Sequence, residues 1–151
     1  MPANTKQQLL FLCKDFIEAR INNCQSAIDA ANNSINEETK SSAGDKYETS
    51  REMMTQEIKN NSAQLAEAIK QKQLLSQISI DKKLDTVQVG SLVFTNLEKF
   101  FIAISAGSLK WNNENYLAIS PSSPLGRNLI DKKKGDSVFF NGKEYSIENI
   151  F

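Results

Sequence analysis

Two runs of apolar residues, spaced three, four or seven apart, constrain the fold of this chain more than any other feature. The first run is Leu10, Cys13, Ile17, Ile21, Cys24, Ile28, Ala31 and Ile35. The second run is Tyr47, Met54, Ile58, Leu65, Ala68 and Leu75. Such spacing places each run on one face of a helix of about 30 residues or slightly more, roughly 45 to 50 Å long. Because neither helix can bury its apolar stripe alone, we expect the two helices to pair.

The segment between the two runs has the composition of a turn. Residues 41–45 read Ser-Ser-Ala-Gly-Asp and contain no large apolar side chain that could anchor them in a core. A short turn with glycine favours antiparallel packing within one chain, and an intermolecular coiled coil is the alternative. Three polar positions interrupt the second run and can fix its register: Arg51, Asn61 and Lys72. Asn4, with Gln7 three residues later, is the expected start of the first helix.

The helical period stops at Ile80, and residues 81–85 form a charged linker. Beyond the linker, short apolar segments predict strands around residues 87–94, 100–104 and 116–119. Ser123-Pro124 predicts a short helix that runs to about Lys133, and Asn141-Gly142 predicts a hairpin turn between residues 138–140 and 145–147. The predicted fold class is therefore α+β, with a helical hairpin over residues 1–80 and a small domain over residues 81–151.

Composition excludes several classes of enzyme. The chain contains no histidine, which removes a Ser-His or Cys-His nucleophile and a His-ligated zinc site. Cys13 and Cys24 cannot complete a structural zinc site, and at roughly 16 Å apart on one helix they cannot form a disulfide with each other. There is no glycine pattern typical of a nucleotide-binding loop. The functions that remain open are chemistry carried out by carboxylates and simple binding.

The distribution of apolar and charged residues indicates where the protein works. The chain has 40% apolar residues and 18 basic against 18 acidic side chains. It has no run of about 20 apolar residues and no basic-then-apolar signal pattern at its N-terminus. We therefore expect a cytoplasmic protein that does not interact with membranes. We also expect it to be a monomer.

Asp45 and Glu48 are the candidate functional acids. An Asp at the N-cap with a Glu three residues later forms an acidic capping box, and both carboxylates suit the positive end of a helix dipole. The same two acids at the end of a long hairpin could instead be delivered to a site in another molecule. The two interpretations are compatible, since capping can hold an acid in place for use.

The small domain carries a set of motifs in a specific order. They are Val-Gly-Ser at 89–91, Ile-Ser at 119–120, Ser-Pro-Leu-Gly-Arg-Asn-Leu-Ile at 123–130, Gly-Asp at 135–136 and Glu-Tyr-Ser-Ile at 144–147. The turn adds Gly-Asp-x-x-Glu at 44–48. With these motifs, nearly the whole chain resembles the bacterial Gre transcript-cleavage factors, which join an antiparallel coiled coil to a domain of FKBP-like fold.

The resemblance implies a function for the two acids. In the family, they enter the secondary channel of RNA polymerase and help to hold a catalytic Mg²⁺, so Asp45 and Glu48 would share a metal ion with the polymerase. The polymerase would then cleave backtracked RNA, and this chain would be a coactivator rather than an enzyme. Arg127 and the run Lys132, Lys133 and Lys134 are candidate contacts with an acidic polymerase rim or with RNA, the alternative being a solvated helix end.

The turn departs from the family pattern, and this leaves a second function open. The family usually has Leu-Ser between the acids, where this chain has Lys46-Tyr47, and Arg51 falls where the family has a third acid. Arg51 could pair with Glu48 or Glu52 and compete with the metal for a carboxylate. The alternative is therefore a regulator that occupies the channel without cleavage. A peptide-binding or prolyl isomerase module is a further alternative, based on fold analogy alone.

Overall fold

The computed structural model of the protein describes the backbone of residues 2–39 and 44–151, and the side chains of residues 3–37 and 49–151. Helix α1 is Pro2–Thr39 and helix α2 is Gly44–Ser76. The strands are β1 (Leu92–Thr95), β2 (Lys99–Ile102), β3 (Gly107–Trp111), β4 (Glu114–Ile119), β5 (Ser137–Phe140) and β6 (Lys143–Ile150), and helix α3 (Pro124–Leu129) lies between β4 and β5. This arrangement confirms the predicted α+β class, with a packed helical hairpin before a mixed sheet.

The chain divides into two compact units. One unit is Ile17–Lys72, the larger part of the hairpin, and the other combines Met1–Phe16 with Gln73–Phe151. The second unit therefore contains the sheet together with the first residues of α1 and the last residues of α2. The predicted boundary near residue 80 stays a prediction.

Within Ile17–Lys72, the apolar runs lie along the helix contact as the spacing predicts. Ile17, Cys24 and Ala31 of α1 and Ala68 of α2 are buried. Lys72, which interrupts the second run, forms an ion pair with Glu18 across the two helices. Both of these side chains are about half exposed, so the pair contributes little to stability and is better understood as fixing the register.

The first turns of α1 belong to the unit that contains the sheet. Leu9, Leu10 and Cys13 of α1 are buried, as is Leu75 of α2. The helix begins at Pro2, so the prediction that Asn4 caps it is wrong. Proline suits this position because the first turn of a helix does not use its backbone N–H groups.

The sheet has six strands in the order β3-β4-β2-β1-β6-β5. All neighbouring strands are antiparallel except β2 and β4, which pair in parallel with Phe100 opposite Leu117. One face of the sheet packs against α3 through a core that includes Val87, Val93, Phe100, Ile102, Leu129, Val138, Tyr145 and Ile147. Strand β3 was not predicted from the sequence. The first strand begins at Leu92 rather than Val87, because Gly90, at a φ of 93°, forms part of a turn before it.

Helix α3 starts as predicted and ends early. Ser123 is its N-cap, with the hydroxyl group accepting the N–H of Gly126, and Pro124 follows at the first helical position. The expected end near Lys133 is wrong because the chain leaves the helix after Leu129 to pair with another segment. Asp131 N–H donates to the carbonyl of Val87 at 2.9 Å, and Val87 N–H donates to the carbonyl of Lys132 at 2.9 Å.

The turn that Asn141-Gly142 predicts between β5 and β6 is confirmed. Asn141 and Gly142 have φ values of 50° and 76°, which are typical of a type I′ turn. Within the described residues, no helix has both the length and the apolar character needed to cross a membrane.

Candidate functional site

The two candidate acids lie at the start of α2. The helix begins at Gly44, so the backbones of Asp45 and Glu48 lie in its first turns. The capping-box prediction needs a helix whose first residue is Lys46, and the observed start at Gly44 is two residues too early for it. The side chains of Asp45 and Glu48 lie outside the described residues, so their predicted role as metal ligands stays a prediction.

The first described side chains after the acids belong to the same helix. Arg51 is exposed, and its backbone carbonyl accepts a hydrogen bond from Thr55 Oγ1 at 2.7 Å. The predicted pairing of Arg51 with Glu48 involves a side chain outside the described residues and stays a prediction. In the part of the chain whose side chains are described, no group of three or more Asp, Glu, Cys or His residues could hold a metal ion.

The predicted basic contacts lie on and after α3. Arg127 is exposed in α3, Lys132 is half-buried, and Lys133 and Lys134 are exposed. Because α3 ends at Leu129, the three lysines do not close the helix as predicted but lie in the loop before β5. The loop is held by Asp136, whose Oδ2 accepts the Lys133 N–H at 2.8 Å. The lysine side chains are thus displayed on an anchored loop.

A polar network on the sheet was not anticipated from the sequence. Glu114 accepts a hydrogen bond from the hydroxyl group of Tyr116 at 3.2 Å and forms an ion pair with Lys99. Tyr116 makes a further side-chain hydrogen bond with Thr5 of α1. The network therefore connects α1 to strands β2 and β4.

The charges of this network influence one another. The hydrogen bond and the positive charge of Lys99 lower the pKa of the Glu114 carboxyl group below its ordinary value. Burial, followed by the negative charge of Glu114, raises the pKa of Tyr116. Lys99 Nζ also lies 4.8 Å from the ring centroid of Phe94, within the range of a cation–π contact. All of these groups have partners, as expected of a structural connection.

Two buried groups on α1 could in principle be reactive. Lys6 is only 2% exposed, and burial lowers the pKa of its ammonium group. Burial raises the pKa of the Cys13 thiol to about 12, which keeps this cysteine protonated and a poor nucleophile near neutral pH. Neither group has the access to solvent that a catalytic nucleophile requires.

Among the described residues, two grooves of the unit that contains the sheet are large enough to consider as binding sites. The larger, of about 660 Å³, is lined by residues of the β1–β2 turn and of β3 and β4, among them Leu97, Ser108 and Asn115. Two of the charged residues that line this groove, Lys99 and Glu114, form an ion pair with each other. The smaller groove, of about 310 Å³, lies between the end of α2 and residues 82–89. Neither groove gathers a set of groups that would carry out a reaction.

Comparisons of the chain with protein-family models and with curated proteins find no match. A functional proposal therefore depends on the arrangement of the helices, the position of the two acids and the motifs of the sequence.

Proposed function

We propose that the protein is an accessory factor of bacterial RNA polymerase, which inserts the end of its helical hairpin into the secondary channel and stimulates cleavage of backtracked RNA. The observation that carries the proposal is the pairing of two long helices with Asp45 and Glu48 at the start of the second. Helices α1 and α2 have 38 and 33 residues and pack against each other. At 1.5 Å per residue, a helix of this length extends about 50 Å, which suits a deep and narrow channel.

The chemistry explains why two acids at this position are useful. Phosphodiester cleavage by two metal ions uses one ion to activate the attacking water and the other to stabilise the leaving oxygen. Mg²⁺ prefers carboxylate and water oxygens and is often bound by only one or two carboxylates of a protein. Residues three apart on a helix are neighbours on its surface, so Asp45 and Glu48 would approach one ion together. The polymerase supplies the remaining ligands and performs the hydrolysis.

The small domain would support binding rather than cleavage. Arg127, Lys132, Lys133 and Lys134 are cationic residues on α3 and the following loop, and an acidic rim of the polymerase or the backtracked RNA would complement them. In this proposal the protein acts in the cytoplasm as a monomer at the concentrations of a transcription factor.

A second candidate function is favoured by one observation. Arg51 lies on α2 three residues after Glu48, a spacing at which a positive charge can pair with a carboxylate. Such a pair would compete with Mg²⁺ for Glu48. The protein would then occupy the channel and alter initiation or elongation without stimulating cleavage.

The deciding experiment measures RNA shortening in backtracked elongation complexes of the cognate polymerase with Mg²⁺ present. The wild type is compared with the double variant Asp45→Ala/Glu48→Ala, and polymerase binding is measured separately. A matched control is Glu57→Ala/Glu67→Ala, which removes two exposed acids of α2 far from its start. We expect shortening that the first pair of substitutions abolishes and the control preserves, with binding retained in all variants.

The other outcomes are equally informative. Binding without shortening by the wild type would contradict the cleavage role and favour the channel-occupying regulator. Loss of binding in the Asp45→Ala/Glu48→Ala variant would show that the acids anchor the hairpin rather than hold a metal. Absence of any binding to polymerase would overturn both functions.

A further inference from the structure

Part of the backbone of the edge strand β5 has no hydrogen-bond partner within the described residues. The strand closes onto β6 through a two-residue turn, so Phe140 and Lys143 beside the turn form a hydrogen-bonded pair. Because such pairs alternate along a hairpin, the N–H and C=O groups of Ser137 and Phe139 point away from β6. β5 is an edge strand of the sheet. Within the described residues, no backbone hydrogen bond is made to the outward N–H and C=O groups of Ser137 and Phe139. They are available to another strand.

The same strand exposes a large aromatic side chain. Phe139 is 71% exposed, the largest exposed fraction among the large hydrophobic side chains of the described residues. No residue of Ser137–Phe140 is charged. Natural outer strands are usually protected from further pairing by charge, bulges or cover. β5 has no protecting charge, and its aromatic side chain would gain from being covered.

The opposite edge of the sheet gives a useful contrast. β3 also ends in a two-residue turn, and the residues of β3 whose backbone groups point outward are Ser108 and Lys110. Pairing of β3 with its own copy in the equivalent register would bring two Lys110 side chains to diagonal positions, where they would repel each other. The lysine protects β3, and β5 carries no equivalent.

We propose that β5 pairs antiparallel with β5 of a second copy of this chain. A twofold axis perpendicular to the sheet keeps equivalent faces on the same side, so Val138 lies opposite Val138 of the second copy. Ser137 then lies opposite Phe139 of the second copy, and the outward backbone groups of both residues form hydrogen-bonded pairs. The register gives four inter-chain N–H···O hydrogen bonds and joins the two sheets into one.

The side chains favour this register on both faces. On one face, the two Phe139 side chains occupy diagonal positions, which are within reach of aromatic rings. On the other face, Asp136 lies opposite Phe140 of the second copy. In the second copy's hairpin, Phe140 pairs with Lys143, so this Lys143 lies one strand beyond Phe140. Two strand spacings separate Asp136 from that Lys143, about 10 Å between Cα atoms, a distance that a lysine side chain can largely span. The symmetry repeats this opposite-charge pair at the other end of the contact.

The contact is small, so the dimer is weak. A four-residue strand buries well below the about 1,200–2,000 Å² of a stable interface, and we expect a dissociation constant of about 0.1–1 mM. The chain is therefore a monomer at micromolar concentrations and associates where its local concentration is high. This inference does not depend on the proposed function, because its tests use the purified protein without polymerase.

The first test is sedimentation equilibrium of the full chain over a concentration series that reaches about 2 mM, above the expected dissociation constant. Phe139→Lys gives β5 the protecting charge that β3 has, and we expect it to weaken association by about tenfold or more. The control is Leu97→Lys, which makes the same change at a side chain that is 51% exposed in the β1–β2 turn, and it should associate like the wild type. If the wild type stays monomeric over the whole concentration series, the proposal is overturned, and any partner of the β5 edge would be a strand of another protein. A Phe139→Lys variant that associates like the wild type would also overturn it.

The second test examines the register. Val138→Cys places two cysteines directly opposite each other at a non-hydrogen-bonded pair, where Cα atoms about 4.5 Å apart permit a disulfide. Oxidation should produce a covalent dimer from this variant and not from the wild type, whose two cysteines are buried. Circular dichroism confirms that the variant folds, and Ser137→Cys, which lies opposite Phe139 instead, should cross-link far less. If Val138→Cys folds and does not cross-link under conditions in which the wild type dimerises, the proposed pairing is wrong.

Discussion

The hydroxyl group of Tyr116 lies 3.2 Å from Glu114 Oε2 and donates a hydrogen bond to it. Tyr116 is only 4% exposed and makes a second side-chain hydrogen bond with Thr5, so its hydroxyl group joins β4 to α1. A buried polar group with two partners contributes to stability mainly because its loss leaves the partners unsatisfied.

Replacement of Tyr116 by Phe should therefore destabilise the protein. We expect a loss of about 1–2 kcal/mol in the free energy of unfolding, because Thr5 loses a buried partner while the ring is retained. Urea denaturation followed by circular dichroism measures this change. Tyr145→Phe is the matched control, since Tyr145 is also buried and its hydroxyl group makes no hydrogen bond within the described residues. Equal losses in the two variants would contradict a role for the Thr5 contact.

Lys99 should control the titration of Glu114. Lys99 lowers the pKa of the Glu114 carboxyl group in the folded protein, so Glu114 stabilises the fold above the pKa it has in the unfolded chain. That contribution disappears as the pH falls through the lowered, folded-state pKa. Lys99→Met should move the Glu114 pKa back toward its ordinary value, which a carboxyl-detected NMR titration would measure. Lys110→Met, a change on the neighbouring strand β3, should leave the Glu114 titration unchanged, and a shift there would indicate a general effect of net charge.

Gly126 lies where helix α3 approaches the chain before it. A Cβ atom at this position would lie 2.0 Å from the carbonyl oxygen of Ser120 and 2.8 Å from Ser123 Oγ. Since the closest atom belongs to the backbone, Gly126→Ala must displace the N-cap or the loop, and we expect a loss of about 2–3 kcal/mol or more. Thermal unfolding measures the effect against Asn128→Ala, an exposed position of the same helix. A change below about 1 kcal/mol would show that the loop adjusts easily.

Much of the fold could be predicted from the sequence because its strongest signals are local. The spacing of apolar residues determines which face of α1 and α2 is buried, and Asn141-Gly142 specifies the turn between β5 and β6. Strand β3 was missed although Asn112-Asn113 adopts the positive φ values of a hairpin turn. Its five residues have only one buried member, Leu109, so they gave no apolar alternation that would indicate a strand.

In the candidate site, too, only the features with a local sequence signal could be predicted. Asp45 and Glu48 could be recognised because they are close in sequence, and their position at the start of α2 follows from the helix pattern. The contact of Thr5 with Tyr116 joins residues more than 100 positions apart and has no local signal. The end of α3 was misjudged for a similar reason, since residues 131–132 leave the helix to pair with Val87, which is distant in sequence.

Arg51 provides the sharpest test of how the two acids are used. If Arg51 competes with Mg²⁺ for Glu48, Arg51→Ala should lower the Mg²⁺ concentration needed for half-maximal RNA cleavage. A helical pair three residues apart is worth about 0.2–0.5 kcal/mol, so the expected decrease is about twofold. The measurement is the rate of transcript shortening in backtracked complexes over a Mg²⁺ series. Lys59→Ala, which removes an exposed positive charge farther along α2, controls for nonspecific electrostatics. An unchanged Mg²⁺ requirement in Arg51→Ala would show that Arg51 does not restrain the acids, whereas cleavage that appears only in this variant would identify the natural protein as a channel-occupying regulator.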